Sequence, residues 1–198
     1  MSRLAVMIMA AGRSARFGGC KLLAPVAGKP LLQHSIDSAR QLWPDDLYVI
    51  SGAWHPQLRA AQQAGDIQGV ELIHNPDWAQ GLGNSIAYGV GQLAPRHDAI
   101  LIMLADQIAL TGADLAELQG QFSGDNIVCS YYQNSRSVPA IFGANSFAAL
   151  QHLQGDRGAK QLLYQQRIDV VECPLAAAAI DIDRRQDLAH WLAASDRR

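Results

Sequence analysis

The sequence predicts an α/β fold, and three observations carry that expectation. Short, continuous apolar runs recur along the chain, and segments with apolar residues at helical spacing lie between them. The chain also has 198 residues, 49% of them hydrophobic, enough for a substantial core. Runs that are apolar throughout suit strands buried on both faces, with helices covering each side. The expected form is therefore a three-layer sandwich around a Rossmann-like, mostly parallel central sheet. No internal repeat or long low-complexity linker divides the chain, so residues 1–198 are expected to form a single domain, ahead of two small ones.

Each element follows in order. LAVMIM reads as a buried strand, PLLQHSIDSARQLW as a helix and LYVIS as a second strand. PQLRAAQQAG is polar and helix-compatible, ELIH is a short strand, and GNSIAYGVGQL begins the next helix. AILIML is the strongest candidate for a central strand. The helix TGADLAELQGQF follows it, with Thr111 as cap and Asp114 at its favourable amino-terminal end. NIVCSYY, AIFG and VVECP are later strands, with NSFAALQHL, GAKQLLYQQ and RRQDLAHWLAA as helices. Pro139 and the glycines near it suggest an interruption or a mixed-sheet extension. The short AAAA at 176–179 is expected to close a packed strand or a turn.

Composition narrows the function classes. Sixteen Lys plus Arg against eighteen Asp plus Glu give a formal charge of -2, which supplies no global attraction to nucleic acid or an anionic membrane; a local cationic pocket remains open. No apolar interval approaches the roughly 20 residues that span a bilayer, and the amino terminus lacks a convincing secretory pattern. A cytoplasmic location is the expectation. Cys20, Cys129 and Cys173 form no CxxC pair, and the six histidines form no HxH or HExxH pattern, which argues against a zinc cluster.

The unusual stretch is MIMAAGRSARFGGCKLLAPVAGKPLL, where glycines and cationic residues interrupt an apolar run. It matches neither GxGxxG nor GxxxxGK[ST], since Lys21 is followed by Leu22. Backbone amides and basic side chains of such a strand-following loop can hold polyphosphate; a structural turn with solvent-facing Arg and Lys has the same composition. Asp106, just after AILIML, falls where the carboxyl end of a parallel strand opens on a cleft, a position suited to binding Mg2+ or simply to ending a strand. In IDIDRRQDL, Asp181 and Asp183 share one side if the segment is extended, so both can face a metal-phosphate site; a solvent-facing strand end before a capped helix is the alternative. NPDWAQGLGNS combines a backbone-limiting Pro76, permissive Gly81 and Gly83, and hydrogen-bonding Asn84 and Ser85.

Taken together, AAGRSARFGGCKLLAPVAGKPLL, NPDWAQGLGNS, LADQ, SVPAIF, GDRGAK and the terminal DID resemble the nucleotidyltransferase family that includes molybdenum-cofactor cytidylyltransferases and guanylyltransferases. The AAG form and WAQGLGNS resemble the cytidylyltransferase branch more closely. The resemblance implies transfer of CMP from CTP to molybdopterin or molybdenum cofactor with release of pyrophosphate. It also implies Mg2+ as cofactor and a molybdoenzyme or delivery chaperone as recipient of the product. Alternatives within the same chemistry are a GTP-dependent guanylyltransferase and CMP transfer to another phosphorylated small molecule. A non-enzymatic nucleotide-binding or cofactor-delivery protein is the alternative of a different class.

Carried onto this chain, the resemblance places Ala10, Ala11 and Gly12 against the nucleotide and Arg16 and Lys21 on triphosphate charge. Gly18 keeps the loop open, Gly81 and Ser85 contact sugar or base, and Asp106 binds metal with Asp181 or Asp183. Arg13 and Lys29 are weaker candidates, and Asp156, Arg157 and Lys160 are expected near the acceptor phosphate. Three departures bear on loop shape: Gln107-Ile108 brings no proline after Asp106, Val138 stands where related chains have Gly before Pro, and Arg184-Arg185 replace the Thr-Pro of DIDTPEDL.

Overall fold

The computed structural model describes residues 3–165 and 169–195. Seven strands form its main sheet: β1 (Leu4–Ala10), β4 (Leu47–Ser51), β5 (Glu71–His74), β6 (Ala99–Leu104), β7 (Ile127–Tyr132), β8 (Ser135–Gly143) and β9 (Val170–Pro174). The two-residue strands β2 (Pro25–Val26) and β3 (Lys29–Pro30) pair separately as a small hairpin. Order across the main sheet is β5-β4-β1-β6-β8-β7-β9, with β8 antiparallel to both of its neighbours and every other adjacent pair parallel. The mostly parallel sheet expected from the apolar runs is present.

Alternation along the strands builds the layers. Leu4, Val6, Ile8 and Ala10 of β1 face one cluster, while Ala5, Met7 and Met9 face the other; β6 divides in the same way between Leu101 and Met103 on one side and Ile100 and Ile102 on the other. The first face is covered by α1 (Leu31–Arg40), α2 (His55–Ala64) and α4 (Gly112–Gly120), which contribute Leu32, Ile36, Leu58, Leu115 and Leu118. α3 (Leu82–Leu93), α5 (Phe147–Gln151) and α6 (Leu162–Gln165) cover the second with Ile86, Val90, Leu150 and Leu163. A third cluster joins Phe17, Val26, Leu31, Ile108 and Ile182 to Leu188 and Leu192 of α7 (Arg185–Ser195). This cluster seats the glycine-basic loop against the carboxyl-terminal helix.

Thr111 caps α4 as its sequence implies: its hydroxyl oxygen accepts from the Asp114 N–H, and the Asp114 carboxylate accepts from the Thr111 N–H at 2.8 Å. The strand expected over AIFG is longer, because β8 runs through Pro139. Its register with β7 steps from Cys129 opposite Ala140 to Ser130 opposite Ser137, so Val138 and Pro139 form a bulge where the missing proline N–H breaks no ladder. NSFAALQHL makes a 3-10 turn before a short α5, and AAAA forms a 3-10 turn over Ala176–Ala179. The helix expected over GAKQLLYQQ begins as a 3-10 turn at Ala159–Gln161 and continues as α6; residue 166 of that stretch lies outside the described residues. No helix among the described residues is long and apolar enough to cross a membrane.

Candidate active site

β1, β4 and β6 end at the same edge of the sheet, and the segments that leave them surround a cleft of about 630 Å³. Ala10, Ala11, Gly12, Arg16, Lys21, Gly81, Ser85, Asp106 and Asp183 all line it, as do Arg13, Trp78 and Asp156. Gly18 lies outside this lining; its φ of 76° turns the loop back, and its N–H donates to the Ser14 carbonyl at 3.2 Å. Among the described residues, Gly12 has no atom beyond its chain neighbours within 4 Å of where a Cβ would stand, so its lack of a side chain leaves space to the cleft. Gly52, after β4, has none to spare: a Cβ there would fall 2.6 Å from the Ala11 carbonyl and 2.4 Å from Trp78 Cβ. Trp78 thus packs on its inner side and borders the cleft on its outer side.

The acids converge through a backbone contact. The Asp106 carbonyl accepts the Ile182 N–H at 3.1 Å, and Ile182 buries its side chain in the third cluster. Asp181 and Asp183 flank Ile182 and therefore turn the other way, toward Asp106. The segment is not a strand, yet carboxylate oxygens of Asp106, Asp181 and Asp183 lie within 4.8 Å of one another. Lys21 Nζ reaches into this group, 2.6 Å from Asp106 Oδ2 and 3.2 Å from Asp183 Oδ1, and Arg16 Nη2 lies 2.8 Å from Asp183 Oδ2. Asp106 Oδ1 is buried with no hydrogen-bond partner among the described residues.

Such an oxygen is costly unless a ligand meets it, and an all-carboxylate donor set suits a hard divalent cation such as Mg2+ or Mn2+. The residues present therefore fit a metal ion held by Asp106 with Asp181 or Asp183. Charge balance points the same way. Burial alone lowers the Lys21 pKa, but the pairs with Asp106 and Asp183 more than reverse this and raise it. Burial raises the pKa of Asp181, and repulsion from Asp106 and Asp183 adds to the shift.

Sequence reasoning missed the residues that position this constellation. Gln107 is buried; its Oε1 accepts the Leu104 N–H at 3.2 Å, and its Nε2 donates to the Val138 and Ala178 carbonyls at 3.0 and 2.9 Å. It fastens the turn after Asp106 to β8, joining two of the positions that depart from the related pattern. Asn75 is also buried and donates to Ser85 Oγ at 3.1 Å, while the Ser85 hydroxyl donates to the Gly81 carbonyl at 3.3 Å. Ser85 therefore shapes the start of α3 as well as lining the cleft. The only local signal was a polar residue beside an apolar strand.

Other expectations sort by position. Gly81 and Gly83 pack against residues 155–157: the Gly83 N–H donates to the Gly155 carbonyl at 2.8 Å, and a Cβ on Gly81 would meet Gly155 backbone atoms at 2.4 Å. This contact brings Asp156 to the cleft, whereas Arg157 and Lys160 are exposed and not among its lining residues. Lys29 pairs with Asp37 on α1, away from the cleft lining. Burial pushes the Cys20 thiol above its ordinary pKa, a protonated and unreactive state. His34, His97 and His152 each engage a nearby backbone carbonyl.

Comparison with known proteins gives four consistent likenesses. The family described as "MobA-like NTP transferase domain" matches residues 6–170. "Bifunctional protein GlmU" of Janthinobacterium sp. (strain Marseille) is 36% identical over 124 residues, covering 62% of this chain and 26% of that protein. The chain spans about a quarter to two-fifths of the length of the GlmU proteins it matches. "Purine catabolism protein PucB" of Bacillus subtilis (strain 168) is 28% identical over 189 residues, covering 91% of this chain and 92% of that protein. Among solved structures, the Mycobacterium tuberculosis rv0371c homolog from Mycobacterium sp. strain JC1 superposes with a TM-score of 0.81 at 26% identity, covering 98% of each chain.

Proposed function

Because this chain belongs to the MobA-like NTP transferase domain family, we propose that it is a metal-dependent nucleotidyltransferase acting on a small phosphorylated acceptor. Residues 1–198 act as one nucleotidyltransferase domain, in the cytoplasm. The observation that carries the reading is the buried Asp106 Oδ1, without a hydrogen-bond partner among the described residues, in a cluster with Asp181 and Asp183 and with Lys21 and Arg16 at hand.

The reaction balances simply. A phosphate oxygen of the acceptor bonds to the α-phosphorus of a nucleoside triphosphate, the bond to the β-phosphate oxygen breaks, and pyrophosphate leaves. The acceptor is ionised near neutral pH, so no strong protein base is required. Ala10, Ala11 and Gly12 give the nucleotide close backbone approach, Gly18 holds the loop turn, and Gly81 and Ser85 form the sugar and base side. Arg16 and Lys21 leave their acids to meet triphosphate charge, orienting the chain of phosphates and stabilising the departing pyrophosphate. Mg2+ held by Asp106 with Asp181 or Asp183 would neutralise phosphate charge when bound.

The acceptor is assigned as a class. CMP transfer from CTP to molybdopterin or molybdenum cofactor, implied by AAG and WAQGLGNS, is one member. The others are GTP-dependent transfer to molybdenum cofactor and CMP transfer to a different phosphorylated small molecule, and the breadth of the relatives favours keeping these ahead of the pairing of CTP with molybdopterin. A matrix of CTP, GTP, ATP and UTP against molybdenum cofactor and other phosphorylated acceptors, detecting pyrophosphate and joined product, tests the proposal. One productive pair is expected, dependent on divalent metal. Nucleotide binding with no product from any pair would reject catalysis and leave a binding or delivery protein.

A further inference from the structure

The substitution of Arg184-Arg185 for Thr-Pro has a structural consequence at the loop itself. The Asp187 carboxylate accepts the N–H groups of Asp183 and Arg184 at 3.0 and 2.6 Å, fixing the entry to α7. Arg185 then points back at the glycine-basic loop. Its Nε donates to the Phe17 carbonyl at 3.1 Å, and its guanidinium lies 5.0 Å from the centre of the Phe17 ring. Phe17 is buried between Arg16 and Gly18, so this contact grips the middle of the loop.

Arg16 and Lys21 hold the same loop through Asp183 and Asp106, but those ties must open when either cation turns to a triphosphate. The Arg185 tie is of another kind, since a backbone carbonyl and an aromatic face do not compete with phosphate. Proline at this position would offer no donor at all. We infer that Arg185 is a positioning residue for the nucleoside triphosphate, holding residues 14–20 in place while Arg16 and Lys21 exchange their acids for phosphate. An apolar cavity of about 420 Å³ lies against this contact, lined by Phe17, Cys20, Leu23, Leu188 and Leu192; among its described lining residues Arg185 carries the only side-chain nitrogen.

The inference rests on the proposed nucleotide site, and the experiment separates the two. Wild type, Arg185→Ala, Arg185→Gln and Arg185→Lys are compared by hydrogen–deuterium exchange of the ligand-free proteins, by calorimetric titration with nucleoside triphosphate, and by KM and kcat for the productive pair. Gln Nε2 occupies the place of Arg Nε along the side chain, so it keeps the donor and discards the charge. Arg185→Ala should speed exchange across residues 14–20 and weaken triphosphate binding about tenfold, as expected for one lost charge-assisted hydrogen bond. Acceptor KM and kcat should change less than about twofold, and Arg185→Gln should recover part of the loss, the share carried by the donor alone. Unchanged loop exchange and affinity in Arg185→Ala would overturn the inference. So would recovery by Arg185→Lys and not by Arg185→Gln, which would make the residue a phosphate-binding charge. If Arg185→Ala fails to fold, the Gln and Lys variants decide between these outcomes. If no pair is productive, the catalytic reading fails, while loop exchange and nucleotide titration still judge Arg185.

Discussion

The two ends of β1, β4 and β6 carry acids in opposite circumstances. At the amino ends, Asp46 accepts from Arg3 Nη2 at 2.8 Å and meets His97 Nε2 at 3.1 Å, while the Arg3 N–H donates to Asp98 at 2.9 Å. The Arg3 hydrogen bond lowers the Asp46 pKa; burial opposes this and His97 reinforces it. At the carboxyl ends three carboxylates crowd together, Asp181 is pushed up, and Asp106 Oδ1 has no partner among the described residues. One end balances its charges within the chain and holds strands together; the other sets three carboxylates against the two cations Arg16 and Lys21 and leaves one buried oxygen over, which is the condition for taking a cation and a phosphate chain from solution.

Breaking each end should therefore damage a different property. Asp106→Asn should lower turnover by about 10²–10³-fold, judged by pyrophosphate release, while the thermal midpoint changes little, because relief of carboxylate crowding offsets the weakened contact with Lys21. Activity near wild type would remove Asp106 from the proposed metal site. Asp46→Ala should reverse that pattern. His97, whose side chain is fully buried, loses its carboxylate partner, at about 1–3 kcal/mol, so Tm should drop by about 3–8 °C with kcat within about twofold of wild type. A large kcat loss at unchanged Tm would erase the distinction between the ends.

Two smaller effects sharpen it. Lys21→Met should let the ligand-free protein bind Mn2+ about tenfold more tightly, read by electron paramagnetic resonance, because the ammonium no longer occupies Asp106. Weaker Mn2+ binding would mean that Lys21 does not compete for the site. The smallest effect is in pH. Since Asp46 titrates lower in the folded state, its contribution is present above about pH 4 and disappears as pH falls through the folded value. The Tm gap between wild type and Asp46→Ala should thus narrow between about pH 5 and 3; a constant gap would assign the stabilisation to packing.

Much of this was legible in residue order. Continuous apolar runs identified the strands of the parallel half, and the Thr111–Asp114 box identified the start of α4, because burial and capping act over neighbouring residues. Glycine-basic order around Arg16 and Lys21 and the acids at 106, 181 and 183 marked the cleft by residue type. Less legible was the β8 bulge at Pro139, whose partner strand determines where the register steps. Gln107 was invisible as a positioning residue, since its partners Val138 and Ala178 are distant in sequence. The aligned position of Arg185 was readable only as a departure, while its grip on Phe17 needed α7 to return across the loop.

By itself, then, the sequence determined the layered α/β class, the burial of β1 and β6 as continuous apolar strands, and the chemical kinds assembled for binding phosphate and metal. Tertiary structure decided how Asp181 and Asp183 meet Asp106, that Lys21 and Arg16 rest on those acids, and that the Arg185 side chain reaches back to the loop. Periodicity records which side of an element is buried; it carries no record of which distant loop arrives there. That depends on strand order and on single contacts such as Ile182 N–H to the Asp106 carbonyl, which turn two alternating acids toward a third.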